Sequence, residues 1–265
     1  MQTSPKQFSN QWAIILGGSS GFGFAAVEKL ASRGMNVALL YREMRSSEKE
    51  LKQKLDELAE ANGVTILPFN VNALDVTGRD QFIEQVDHVI PKGSVKLLLH
   101  SIARGNLKPL VGEDATLSAE DIQHTSYAMS NSLLDWARLI IKNELFNTDA
   151  RIIGLTSEGA HRYWDGYAAV SIAKASLESL ATYMAVELSK YGLRTNIIQA
   201  GVTDTPSLRM IAGSEQLIDN AVIRNPMGRM TEPQDVANVI YLLCTPEAAW
   251  INGSLIHVDG GEHCR

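Results

Sequence analysis

The chain has 265 residues, a formal net charge of -6, 45% hydrophobic and 20% charged residues. That composition excludes intrinsic disorder, and a chain of this length buries roughly three-quarters of its unfolded surface. The acidic balance argues against nucleic acid as a partner, and two cysteines, Cys244 and Cys264, are too few for a disulfide scaffold and show no metal spacing.

Met1 to Asn10 are polar and lack an apolar leader core, and no apolar run reaches the ~18 residues that span a bilayer. A cytoplasmic protein without a membrane partner is expected. From there two patterns alternate. Short, mostly apolar runs predict strands at Trp12–Leu16, Asn36–Tyr41, Val64–Asn70, Val95–Leu99, Arg151–Thr156, Arg194–Ala200 and Ser254–Val258. Helical periodicity lies between them, over Phe22–Ser32, Ser47–Ala61, Arg79–Val89, Ser118–Leu145, Trp164–Lys190 and Glu232–Cys244. The alternation predicts an α/β fold: a single-domain, Rossmann-like, doubly wound parallel sheet of about seven strands with helices on both faces. No internal repeat or linker divides residues 1–265. The long stretch Gly201–Pro233 carries no strand, so a substrate lid is expected within 202–232, the alternative being a surface excursion.

The first strand runs into Gly17-Gly18-Ser19-Ser20-Gly21-Phe22-Gly23 and then a helix. In that setting the loop is a candidate phosphate cradle. Glycine permits a tight turn and close backbone approach, and the helix start offers free N–H groups to a pyrophosphate. Arg42 follows the second strand, where an acidic residue would accept from an adenosine ribose. Arginine suits a 2′-phosphate, which favours NADPH, with Arg45 as a second contact. If Glu43 faces the ribose instead, the cofactor is NADH.

These motifs, with Val258-Asp259-Gly260-Gly261 near the other end, resemble the short-chain dehydrogenase/reductase family from Ile14 to Gly261. Three departures narrow the resemblance. Lys174 is preceded by Val170 where the family's usual tyrosine stands, and Tyr167 lies seven residues before the lysine. His100-Ser101-Ile102-Ala103-Arg104-Gly105 replaces the usual Asn-Asn-Ala-Gly. Ser126 occupies the place of the catalytic asparagine. Tyr-x6-Lys with a His-Ser-Ile-Ala segment is similar to enoyl-acyl-carrier-protein reductases, and Lys174-Ala175-Ser176-Leu177-Glu178 adds to the likeness. Ser157 matches the family's usual serine, whereas the best-known bacterial enoyl reductases carry a tyrosine there. The combination resembles the NADPH-dependent variant of that group.

The resemblance implies Tyr167, Lys174 and Ser157 as catalytic residues. It implies a cofactor held by the glycine loop, Arg42, Asn70, Val71, Ser101, Ile102, Ala103, Lys174, Val202 and Thr205. Tyr163, Tyr167 and Met210 would meet the substrate, with Ile211, Leu217 and Ile218 offering apolar surface to an acyl chain or simply packing in the core. An acyl carrier protein or coenzyme A thioester would be the partner, Arg209, Arg224 and Arg229 being candidates to meet an acidic carrier. A homotetramer is implied. Rival expectations are a carbonyl reductase, such as a 3-oxoacyl thioester reductase, and a non-catalytic dinucleotide-binding regulator. Ser171-x-x-Lys174 also spells an acyl-hydrolase motif, but that motif's companions are absent. His100 is expected to be structural.

Overall fold

The computed structural model describes residues 6–113 and 115–265. Seven parallel strands form one sheet in the order β3-β2-β1-β4-β5-β6-β7. They are β1 (Trp12–Leu16), β2 (Asn36–Tyr41), β3 (Ile66–Asn70), β4 (Val95–His100), β5 (Phe146–Ser157), β6 (Leu193–Ala200) and β7 (Leu255–Val258). The order reverses between β1 and β4, where a doubly wound sheet opens its ligand crevice. Leu16 pairs with both Leu40 and His100, so the carboxyl ends of the three central strands stop level with one another.

β1 and β2 are almost wholly apolar because both of their faces are covered. Trp12, Ile14 and Leu16 join Phe82, Trp136 and Leu177 in one core, and Ala13 and Ile15 join Val27, Leu55 and Ile240 in the other. The first core lies under α3 (Val76–Val86), α5 (Ser132–Lys142) and α6 (Ala168–Glu187). The second lies under α1 (Gly21–Ala31), α2 (Arg45–Asn62) and α8 (Pro233–Cys244).

The helices differ from expectation in several places, α3 starting and ending three residues earlier than Arg79–Val89 among them. The helix expected over Ser118–Leu145 is α4 (Ala119–Ser126), a π turn (Tyr127–Asn131) and α5. Here the backbone changes its hydrogen-bond step while the apolar period carries on. α6 begins at Ala168 and not at Trp164, because Gly166 takes φ +66°, outside the helical region, and Tyr167 holds the N-cap position. The stretch expected to form a lid carries an unforeseen helix, α7 (Ser214–Arg224), in which Ala221 is the one buried residue.

Candidate active site

The glycine loop is built as a cradle in which side chains have no room. Gly17 sits at φ +82°, and a Cβ there would lie 2.7 Å from the Ser101 carbonyl oxygen. A Cβ on Gly23 would lie 2.2 Å from the Gly17 carbonyl oxygen. The first turn of α1 therefore presses onto the loop that precedes it. The extended N-cap residue, Ser20, makes no side-chain capping bond, which leaves the first N–H groups of α1 free for an anion. Opposite stands the loop after β6, where Thr205 Cγ2 lies 3.4 Å from a Cβ position on Gly21. Gly17, Gly21, Ser101, Ile102 and Thr205 thus meet in one crevice over the strand ends. The chemistry of this wall fits a dinucleotide's pyrophosphate.

The remaining expected cofactor contacts divide. Ser19 and Glu43 line a cleft of about 220 Å³ together with Ser47 and Lys54. Arg42 is exposed and has no ion pair among the described residues. The Asn70 side chain is committed to backbone: it accepts from the Glu43 N–H at 3.1 Å and donates to the Glu43 carbonyl at 3.0 Å. It fixes the turn that presents Arg42 and Glu43. Val71 is half-buried beside it and Ala103 is exposed. The Val202 N–H donates to Glu262 Oε2 at 3.2 Å, which sets the direction of that loop.

Ser157, Tyr167 and Lys174 converge at the end of β5. Lys174 is buried and its Nζ donates to the Leu155 carbonyl at 2.6 Å. Burial draws its pKa down to about 8, and the Glu178 carboxylate opposes that fall. The Tyr167 and Ser157 hydroxyl oxygens stand 3.5 Å apart, the long limit of a hydrogen bond. Burial pushes the Tyr167 phenol up, and the Ser157 contact draws it the other way. The ring rests on an apolar cluster of Ala128, Met129, Val170 and Ala173. Val170 is therefore core, and its position offers no donor. Beneath the ring lies Gly159, where a Cβ would come within 2.5 Å of Tyr167 Cε1. Gly159 is not marked by the sequence, because nothing in Ser157-Glu158-Gly159-Ala160 tells which ring will cover it.

His100 is buried at the end of β4. Its Nε2 lies 2.8 Å from Ser132 Oγ, whose hydroxyl donates to the Ala128 carbonyl at 3.1 Å. The serine oxygen is thus left to accept from Nε2–H, and Nδ1 keeps a lone pair without a partner among the described residues. Burial, aided by the charge of Lys174, pushes the imidazole down to about 3, so it is neutral and no acid at ordinary pH.

Tyr163 and Met210 stand out into solvent, at 84% and 77% exposure. The Tyr163 hydroxyl donates to Asp165 at 3.3 Å. The three arginines named for carrier docking are each paired: Arg209 with Asp204, Arg224 with Glu158 and Arg229 with Asp235. Their charge is thereby partly neutralised. Among the described residues no group of His, Cys, Asp and Glu could hold a metal ion, and none of the helices is long and apolar enough to cross a membrane.

The family model described as "Enoyl-(Acyl carrier protein) reductase" matches residues 17–263. The NADH-dependent enoyl-[acyl-carrier-protein] reductase FabI of Aquifex aeolicus is 30% identical over 171 residues, 64% of this chain and 63% of that one. A tropinone reductase homolog of Arabidopsis thaliana, At2g29150, is 29% identical over 261 residues, 94% of this chain and 89% of that one. The Bacillus cereus enoyl-acyl carrier protein reductase, solved with NADP+ and indole naphthyridinone, superposes with a TM-score of 0.83 at 24% identity, covering 98% of each chain. The chain belongs to the short-chain dehydrogenase/reductase family, within the group that this family model describes, and its fold is that of nicotinamide dinucleotide-binding oxidoreductases.

Proposed function

We propose that the protein reduces trans-2-enoyl thioesters, with NADPH as the hydride donor. The observation that carries this reading is the displaced tyrosine. Val170 stands where the carbonyl-reducing relatives place their hydroxyl, and it is buried against Met129 and Ala173, so Tyr167 is the hydroxyl left to face the substrate. In an enoyl thioester the carbon attacked is C3, while negative charge gathers on the thioester oxygen beyond C2. A proton donor displaced from the carbonyl-reductase position suits that longer reach. The bound cofactor supplies hydride to C3. Tyr167 hydrogen-bonds the thioester oxygen as charge builds, and Ser157 meets the Tyr167 hydroxyl. Lys174 holds the nicotinamide ribose, and its positive charge favours the phenolate, offsetting what burial does to the tyrosine. The enolate then re-forms the thioester carbonyl and takes a proton from water at C2, which completes the saturated product.

The thioester is carried by an acyl carrier protein or coenzyme A, and α7 with its flanking loops forms the lid over the acyl chain. NADH is the second reading for the cofactor, and a specific contact favours it: Glu43, and not Arg42, lines the cleft beside Ser19.

The test is oxidation of NADPH by the purified protein with crotonyl thioester against acetoacetyl thioester. Turnover with the first and not the second is expected. Tyr167→Phe should lower it by roughly a hundredfold, about 3 kcal/mol for one lost donor, with cofactor affinity kept. Turnover confined to acetoacetyl thioester would transfer the protein to the carbonyl reductases. No turnover of either thioester with NADPH or with NADH would leave a dinucleotide-binding regulator.

A further inference from the structure

Glu178 stands one helical turn beyond Lys174 on α6, and both of its carboxylate oxygens are engaged. Oε1 accepts the Thr156 hydroxyl at 2.6 Å, and Oε2 meets His161 Nε2 at 2.8 Å. Thr156 lies between the two residues that matter most at this strand end. Leu155 offers its carbonyl to Lys174, and Ser157 offers its hydroxyl to Tyr167. His161 follows directly on the turn Glu158–Ala160, which sets Gly159 under the tyrosine ring. One carboxylate thus ties a helix, a strand end and a turn together from the side away from the reacting face. That rear side opens on a cavity of about 370 Å³ lined by His161, Glu178, Ser179, Thr182 and Ser254, and it contains none of the glycine-loop residues.

The charges around Lys174 make the same residue matter electrostatically. The ammonium is buried and has the Leu155 carbonyl as its hydrogen-bond partner. Its charge is felt by His100 at the end of β4 and by Glu178 one turn further along α6, and the Tyr167 phenol lies one residue before the start of the same helix. His100 is neutral and the phenol is uncharged at ordinary pH. Glu178 alone among these carries a charge opposite to the ammonium.

We propose that Glu178 is a positioning residue of the active site, which keeps Lys174 in its ammonium form and holds Leu155 and Ser157 in register from behind. The proposal rests on Tyr167 and Lys174 being the working pair of a nicotinamide-dependent reductase.

Glu178→Gln keeps an acceptor for Thr156 and removes the charge. The alkaline limb of kcat/KM should then move to lower pH by about one pH unit, as expected for losing one opposite charge at short range in a partly buried site. The alkaline limb of NADPH binding, read from nicotinamide fluorescence, should move with it. Glu178→Asp keeps the charge on a shorter arm, so the limb should stay while the thermal midpoint falls. Thr156→Val removes the tether alone, so kcat should fall with the limb in place. A Glu178→Gln limb that coincides with the wild type overturns the proposal. So does a limb shifted by Glu178→Asp or Thr156→Val, and that comparison stands even if the Gln variant does not fold. The binding titration needs no thioester. Failure of crotonyl turnover would therefore sink the enoyl reading and leave the role of Glu178 to be decided by the cofactor.

Discussion

Arg42 and Glu43 are neighbours at the end of β2, yet they meet different surroundings. Glu43 is clasped by Asn70 through its backbone and lines the cleft beside Ser19, whereas the Arg42 side chain is free in solvent. A 2′-phosphate would give that guanidinium two parallel hydrogen bonds, and charge-assisted bonds are worth ~1.5–3 kcal/mol, or roughly ten- to a hundredfold in affinity. Arg42→Ala should therefore raise the KM for NADPH by about that factor, leave NADH nearly unchanged, and show its effect less at high salt. Steady-state kinetics with both cofactors checks it. Equal loss for both would confine Arg42 to the fold, and a wild type that prefers NADH would give the ribose to Glu43. At this scale the glycine loop, Tyr167 and Lys174 were legible in the sequence because spacing on a loop or helix survives folding. Gly159 and Glu178 were not. Their work depends on what packs over them from sequence-distant residues, Tyr167 in one case and Thr156 and His161 in the other.

Among the elements, the strands were readable because a strand covered on both faces is apolar without alternation. The π turn was not, since the apolar period runs through Ser118–Leu145 without interruption while the backbone changes step at Tyr127–Asn131. α7 escaped for the opposite reason: it buries only Ala221, so its sequence lacks a strong apolar face. What seats α7 is Arg224 at its last residue. The guanidinium makes a two-pronged bond to Glu158, at 2.7 and 3.1 Å, and reaches the carbonyls of Glu262 at 3.2 Å and Arg265 at 3.0 Å. Glu158 adjoins Ser157, so α7 is latched to the turn that follows Ser157. A helix with little buried apolar surface opens locally at low cost once such a latch is lost. Arg224→Ala should raise amide exchange over residues 214–224 by roughly tenfold or more, the loss of charge-assisted bonds worth ~1.5–3 kcal/mol. The thioester KM should rise and the NADPH KM should hold. Unchanged exchange in α7 would show that its seat lies elsewhere.

Across the whole molecule the sheet divides its labour. The carboxyl ends of the strands carry the crevice, and the opposite edge is held by an ionic knot around Asp149. Its carboxylate takes Lys96 at 2.6 Å, Arg151 at 2.8 Å and Arg194 at 2.6 Å, bridging β4, β5 and β6. Arg151 is wholly buried. Burial alone would raise the Asp149 pKa, but hydrogen bonds from Arg151 and Lys96 outweigh it and hold the group at about 2, below its ordinary 3.8. A depressed carboxylate contributes stability that is complete above its unfolded value and is lost as pH falls through the folded one. Asp149→Asn leaves buried cations short of a partner. With the carboxylate itself partly exposed, a loss of about 2–3 kcal/mol is expected, which lowers the thermal midpoint by roughly 5–10 °C at neutral pH. Thermal melts should show the gap between variant and wild type closing as pH drops from about 4 toward 2. A gap that stays constant over that window would remove Asp149 from the knot. No pairing of this kind was legible beforehand, because lysine and arginine inside predicted strands look like breaks in an apolar run until the chain brings one acid among them.

The cluster that holds Val170 also bears on how this site could arise or be rebuilt. Val170 Cγ2 lies 2.7 Å from where a side chain on Gly105 would begin, and Thr125 and Met129 close the space around that point. Val170 is itself buried with Ala128, Met129 and Ala173, so a ring at 170 would have to displace that packing, and removing the tyrosine at 167 takes away the phenol beside Ser157. No single replacement therefore carries a working hydroxyl from one position to the other. The change requires a passage in which Met129 or Thr125 shrinks first, at a cost in packing and with no gain in chemistry. The two tyrosine placements are thus separated by a mutational valley, and a designer seeking a ketone reductase on this scaffold must hollow the cluster before moving the ring.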